Sequence, residues 1–196
     1  MYKELYPKII DALVSDGYIV IEDALHVELA HKLKEFASNE GNFKRAGISG
    51  KSDLHVDNNR RTDKIHWLDE DNGVQSDFIG FTTGLQEQLN RELYLGLSYH
   101  ESHFAIYEKG DFYETHLDAF KNSKNRVITA VYYLNEEWTK NDGGELVVYN
   151  EDNKHLATLL PKANTMIVFL SEKFPHEVLP TNKKRYSIAT WFRVNQ

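Results

Sequence analysis

The hydrophobic period of this 196-residue chain changes once, near residue 97, and that switch limits the architectures open to it. Before it, apolar residues recur at helical spacing in three stretches. Leu5, Ile9, Ile10, Leu13 and Val14 predict a helix over 3–15, stopped by Asp16-Gly17. Leu25, Leu29, Leu33 and Phe36 predict a second over 25–37, and Phe78, Phe81, Leu85, Leu89 and Leu93 a third over 75–95. Short apolar runs at Tyr18–Ile21 and Lys64–Leu68 read as strands. After residue 97 the period is two. Strands are expected at 99–108, 126–134, 145–149, 156–160, 165–170, 176–179 and 185–193, with turns at Lys109-Gly110-Asp111 and Asn141-Asp142-Gly143-Gly144. Helices followed by about seven short strands predict an α+β chain, an antiparallel double sheet or barrel buttressed by N-terminal helices. With no internal repeat and no linker, one domain over 1–196 is expected: a support region over 1–96 and the sheet core over 97–196.

The chain has no cysteine, which excludes disulfides, thiolate zinc sites, iron–sulfur clusters and a cysteine nucleophile. A metal site must draw on its nine histidines and its carboxylates. A formal net charge of −7 argues against a general nucleic-acid binder. Met1–Leu5 is mixed and charged, so neither a signal peptide nor an anchor is expected there. No stretch approaches the roughly 20 apolar residues of a membrane span. A cytoplasmic protein with no membrane partner is the expectation.

Most histidines read as solvated: His26 and His31 on the second helix, His55 in a polar stretch, and His155 in a turn. His116 differs. In Tyr113-Glu114-Thr115-His116-Leu117-Asp118, an extended backbone points His116 and Asp118 to one face. A second imidazole from a neighbouring strand, such as His176 in Phe174-Pro175-His176-Glu177-Val178, would complete a two-His, one-carboxylate facial set. That set leaves contiguous positions open and suits nonheme Fe(II). Nine residues on, Arg185 shares a strand face with Ser187, Ala189 and Trp191. A buried guanidinium needs an anion, and its fork matches a carboxylate. A dicarboxylate chelating the metal at one end and gripped by Arg185 at the other satisfies both; 2-oxoglutarate is such a molecule. The alternatives are a surface ion pair for Arg185, a zinc hydrolase built on the same three ligands, and a non-catalytic jelly-roll binding module.

The run Tyr107, Tyr113, His116-Leu117-Asp118, Arg126 through Asn135, Gly143-Gly144-Glu145-Leu146, Pro175-His176-Glu177-Val178 and Arg185-Tyr186-Ser187-Ile188 resembles the Fe(II)- and 2-oxoglutarate-dependent oxygenases. Within them the chain is most similar to the prolyl hydroxylases that act on hypoxia-inducible factor and their bacterial relatives. Arg61-Thr62-Asp63-Lys64-Ile65-His66-Trp67 belongs to the same likeness, which covers roughly residues 40–193. The resemblance implies a double-stranded β-helix (jelly-roll) core. It implies His116, Asp118 and His176 as iron ligands, with Arg185 and the Tyr133 hydroxyl on the far carboxylate of 2-oxoglutarate. Thr129 and Ser187 would line that pocket, Tyr107 would bond near the chelated end, and Leu146, Val178 and Trp191 would be apolar walls. Tyr113 would sit at the mouth, where a substrate prolyl ring packs, with Arg61 and His103 on the substrate side. The polar stretch around 44–62 would be a mobile substrate-covering loop. The implied cofactors are Fe(II), 2-oxoglutarate and O2, with ascorbate as a candidate reductant; the implied partner is a protein carrying a target proline. Because Asp118 is present, hydroxylation is expected rather than halogenation. The same chemistry on a metabolite, a free amino acid or another side chain is the alternative. Three positions depart from the animal enzymes: the nine-residue spacing from Tyr107 to His116, Ser187 in place of Ala, and His103 in place of a softer apolar residue.

Overall fold

The computed structural model describes residues 2, 4–46, 60–119 and 125–195. Its elements are α1 (Leu5–Ser15), β1 (Tyr18–Ile21), α2 (Val27–Asn39), β2 (Lys44–Arg45), β3 (Lys64–Trp67), α3 (Gly73–Leu93), β4 (Tyr99–Tyr107), β5 (Tyr113–His116), β6 (Arg126–Tyr133), β7 (Leu146–Tyr149), β8 (His155–Leu159), β9 (Met166–Leu170), β10 (His176–Val178) and β11 (Arg185–Arg193). The strands form two antiparallel sheets, β1-β9-β6-β11-β4-β3-β2 and β5-β10-β7-β8. This is the double-stranded β-helix arrangement, with the three helices laid on the outside of the larger sheet.

The period-two pattern builds two separate cores, because alternate residues of one strand face opposite sides. In β4, Phe104 and Ile106 pack toward the helices, and in β9 Met166 and Val168 do the same. Their neighbours Ala105, Tyr107, Ile167 and Phe169 face the smaller sheet, against Leu146, Val148 and Val178. The helices supply the outer core through one stripe each: Ile9, Ile10 and Leu13 from α1, Leu33 and Ala37 from α2, and Phe78, Phe81, Leu85 and Leu89 from α3. Covering the outer face this way leaves the inner face of the larger sheet free to line a cavity.

Three elements differ from the sequence expectation. The third helix ends at Leu93 because Tyr94 takes a left-handed conformation (φ 54°, ψ 36°), which stops the helical ladder. Tyr113–His116 is a strand in its own right, so His116 closes a strand rather than following one. Lys44–Arg45 is a short strand beside Lys64 and Ile65. Neither added strand carries an alternating apolar signal; both exist through partners distant in sequence. Of the stretch 44–62 expected to be a mobile loop, residues 47–59, His55 included, lie outside the described residues. Among the described residues no helix is long and apolar enough to cross a membrane.

Candidate active site

Pairing of β5 with β10 puts His116 and His176 directly opposite one another, and Asp118 follows two residues after His116. The two imidazole centroids are 4.3 Å apart. His116 Nε2 lies 3.7 Å from Asp118 Oδ1, and His176 Nε2 lies 3.6 Å from Asp118 Oδ2. One donor atom from each of the three residues falls within 4.8 Å of the others.

The backbone sets the tautomers. His116 Nδ1 lies 2.8 Å from the carbonyl of Glu114, and His176 Nδ1 lies 2.9 Å from the carbonyl of Phe174. A carbonyl only accepts, so both Nδ1 atoms carry the proton and both Nε2 atoms present lone pairs. Those lone pairs face the oxygens of a buried carboxylate. With both Nδ1 atoms committed to carbonyls, the two Nε2 atoms and the Asp118 carboxylate are left to converge on one cation, and a nitrogen–nitrogen–oxygen facial set suits Fe(II). Asp118 is oriented in turn by Thr129, whose hydroxyl donates to Oδ2 at 2.8 Å and accepts from Ser171 Oγ at 2.8 Å. Thr129 lines the cavity, and its hydroxyl is committed to the Asp118 carboxylate.

Burial, together with the neighbouring His176, pushes the His116 pKa down to about 3. Asp118 is pushed up by burial, but His176, His116, Arg126 and the Thr129 hydroxyl pull it to about 2. His103 is lowered to about 3 by burial and by Arg61. A histidine with a depressed folded pKa takes up a proton on unfolding, so its contribution is present above the ordinary 6.5 and is lost as pH falls toward 3. The metal-free protein is expected to melt at a lower temperature at pH 5 than at pH 7.5. Coincident melting temperatures at the two pH values would show that burial does not hold these rings neutral.

At the other end of the same cavity lies Arg185, 1% exposed. Its Nε donates to the Gly144 carbonyl at 2.9 Å and its Nη1 to Ser187 Oγ at 3.2 Å. Among the described residues no carboxylate pairs with it. The Tyr133 ring centroid is 5.2 Å from its guanidinium carbon, and among the described residues the buried Tyr133 hydroxyl has no hydrogen-bond partner. Burial pushes that phenol up to about 12, which keeps it a proton donor. A forked cation beside an orphaned donor is the reception a carboxylate needs. The site therefore fits Fe(II) at the His116, Asp118 and His176 end and the far carboxylate of 2-oxoglutarate at the Arg185 end. Gly144 makes the close approach possible: at φ +68° a Cβ there would lie 2.9 Å from Arg185 Cδ. Gly143-Gly144 is thus no tight hairpin turn; it precedes β7 and lets the chain pass over Arg185.

The other residues singled out from the sequence line this cavity: Tyr107, Ser187, Leu146, Val178, Trp191, Tyr113, Arg61 and His103. Tyr107 is paired with Arg185 in register, and its ring sits 4.8 Å from the guanidinium carbon. Tyr113 stacks on His116 (3.6 Å, 16°), and Arg61 lies over Tyr113 at 4.6 Å. Arg61 is held by a bidentate pair with Asp63, at 2.6 and 2.9 Å. His103 is buried between Trp67 and Trp191.

Sequence reading passed over Asp63, Ala105, Ala189 and Arg126 as site residues. Asp63 carried a usable signal, since Arg-x-Asp in an extended chain shares one face. Arg126 carried none. Strand parity sets it opposite Thr129, but a register shift at Phe192/Arg193 reverses the parity, and its guanidinium lies 3.8 Å from the Trp191 ring centroid.

Comparison with known proteins agrees with this geometry. The family model of the 2OG-Fe(II) oxygenase superfamily matches residues 102–193. A prolyl-4-hydroxylase of Pseudomonas putida superimposes with a TM-score of 0.86 at 30% identity, covering 98% of this chain and 100% of that one. A Trichoplax adhaerens prolyl hydroxylase, solved with a fragment of the hypoxia-inducible factor oxygen degradation domain, shares the fold at a TM-score of 0.84 and 24% identity, covering 96% of this chain and 89% of that one. Human Egl nine homolog 1 is 29% identical over 198 residues, which cover 94% of this chain and 45% of that protein. The chain spans about half the length of the curated relatives it matches. Full-length likeness to the Pseudomonas enzyme, with the metal triad and the buried arginine at the two ends of one cavity, establishes that the chain belongs to the 2OG-Fe(II) oxygenase superfamily.

Proposed function

We propose that this chain is an Fe(II)- and 2-oxoglutarate-dependent dioxygenase that hydroxylates a prolyl residue of a protein substrate, with succinate and CO2 as co-products. The observation that carries the reading is one cavity with an open-faced triad at one end and a buried guanidinium without a carboxylate partner, among the described residues, at the other. Bound iron would supply oxygen activation coupled to decarboxylation of the keto acid. The chain's own part is geometric. His116, Asp118 and His176 hold the metal on one face; Arg185, Tyr133 and Ser187 hold the far carboxylate; Leu146, Val178 and Trp191 wall the cavity. Tyr113, stacked flat on His116 beneath Arg61, offers an apolar ring beside the metal on which a prolyl ring can pack.

The names of the Pseudomonas and Trichoplax relatives favour proline as the target. The reading assigns the protein to the cytoplasm, a reducing compartment that keeps iron ferrous. Incubation of a cell proteome with enzyme, Fe(II), 2-oxoglutarate and ascorbate is expected to add one oxygen atom to prolyl residues of a restricted set of peptides. The His176→Ala variant leaves those peptides unmodified. An oxygen gained only by free amino acids or metabolites would replace the prolyl target by the small-molecule alternative.

A further inference from the structure

His103 faces the cavity but touches none of the three metal ligands by ring contact or hydrogen bond among the described residues. It is 2% exposed. Among the described residues its Nδ1 has no hydrogen-bond partner. Two indoles clamp it edge to face: Trp67 at 5.1 Å and 77°, and Trp191 at 5.1 Å and 76°. A ring held from both sides in a close-packed interior cannot swing out to water for a partner. Leaving a buried imidazole nitrogen unsatisfied is costly, and an apolar side chain of similar size would avoid that cost.

Strand register places His103 along the cavity. The inward residues form rows across β4, β11 and β6. Tyr107 lies beside Arg185; Ala105, Ser187 and Tyr133 form the next row; His103, Ala189 and Val131 the next; Glu101, Trp191 and Thr129 the last. The guanidinium reaches the Ser187 row, where Nη1 meets the hydroxyl. The metal ligand Asp118 hangs from Thr129 in the last row. Successive rows are two residues apart, about 7 Å. A five-carbon diacid gripped in the Ser187 row therefore brings its keto-acid end into the row of His103. The other two side chains of that row, Ala189 and Val131, are apolar, so His103 holds the row's only polar side chain.

We propose that His103 is a cosubstrate-binding residue whose imidazole donates a hydrogen bond to the C1 carboxylate of 2-oxoglutarate, setting the chelating end against the metal. The proposal rests on the oxygenase reading above. Because burial keeps the ring neutral, it carries one N–H and adds no charge beside the metal. The clamp by Trp67 and Trp191 fixes the direction of that N–H before the cosubstrate arrives.

The test is an anaerobic titration of the Fe(II)-loaded protein with 2-oxoglutarate, followed by the visible charge-transfer band of the chelate. In His103→Leu the dissociation constant for 2-oxoglutarate is expected to rise about tenfold or more, as befits a hydrogen bond to a charged group, and the band to shift. In His103→Gln, whose amide donates from a similar position, affinity returns to within about threefold of wild type. Affinity for Fe(II) without cosubstrate stays unchanged in both. Wild-type affinity and an unmoved band in His103→Leu would overturn the proposal. So would a Gln variant as impaired as the Leu variant, or parallel loss of Fe(II) affinity, either of which makes the ring a spacer between the indoles. Absence of the band in the wild-type protein would instead overturn the oxygenase reading itself.

Discussion

Arg185→Met is expected to weaken 2-oxoglutarate binding about a thousandfold, the cost of removing one partner of a buried, hydrogen-bonded charge pair. The guanidinium is almost wholly removed from water, and its neutral partners are the Gly144 carbonyl and the Ser187 hydroxyl. Keeping a cation there costs several kcal/mol unless an anion joins it. Methionine fills the volume of the stem but leaves the incoming carboxylate desolvated, with only the Tyr133 and Ser187 hydroxyls to meet it. Lysine at the same position restores the charge without the fork, so Arg185→Lys falls between the two. The measurement is the dissociation constant of 2-oxoglutarate on the Mn(II)-loaded protein, which reports binding without turnover. Thermal melting supplies a second readout. At a hundred times its dissociation constant a ligand stabilises the fold by about 2.7 kcal/mol. That rise in Tm is expected in wild type and absent in Arg185→Met at the same concentration. Equal affinities in wild type and variant would end the role given to this residue.

His176→Ala is expected to abolish metal binding at micromolar metal, with at least a thousandfold loss of Fe(II) affinity and complete loss of turnover. The ring has little freedom to be replaced. Its Nδ1 proton is committed to the Phe174 carbonyl, Phe169 meets its edge at 4.9 Å, and its Nε2 lone pair faces Asp118. Alanine leaves one imidazole and one carboxylate, too few donors for a specific site. The metal-free variant is expected to stay folded with a somewhat lower melting temperature, since alanine loses the hydrogen bond to the Phe174 carbonyl and the packing against Phe169. Equilibrium dialysis against Fe(II) under anaerobic conditions measures the loss directly, and circular dichroism checks the fold. Zinc is expected to bind the wild-type triad more tightly than iron and to inhibit, because affinity follows the divalent series while the chemistry requires a redox-active metal. Stoichiometric Fe(II) retained by His176→Ala would remove this histidine from the metal site.

Both predictions concern residues whose chemical type was legible before the fold was known. His-x-Asp in extended chain carries its own geometry, and the later His and Arg stand out because such groups are rarely buried without a reason. The spacing from His116 to His176 says nothing of their contact, which comes from the pairing of β5 with β10. Tyr113–His116 was invisible as a strand for the same reason: three of its four residues are polar and its ladder is supplied by β10. Arg126 shows the limit most clearly, since one extra residue in a ladder turned its side chain onto the face that parity denied it. His103 was expected on the substrate side. Its enclosure between Trp67 and Trp191 is a product of β3 and β11 flanking β4.

By itself the amino-acid sequence determined the helix-then-strand order, the two-faced strands, the absence of any thiolate chemistry and the His-x-Asp pair that can share one face. These follow from local periodicity and from the side chains' own chemistry. Only the tertiary structure decided which strands lie side by side, where a bulge reverses a face, and which polar atoms are left without partners inside the cavity. Those are properties of pairs of residues far apart in the chain, and no local pattern encodes the register that brings them together.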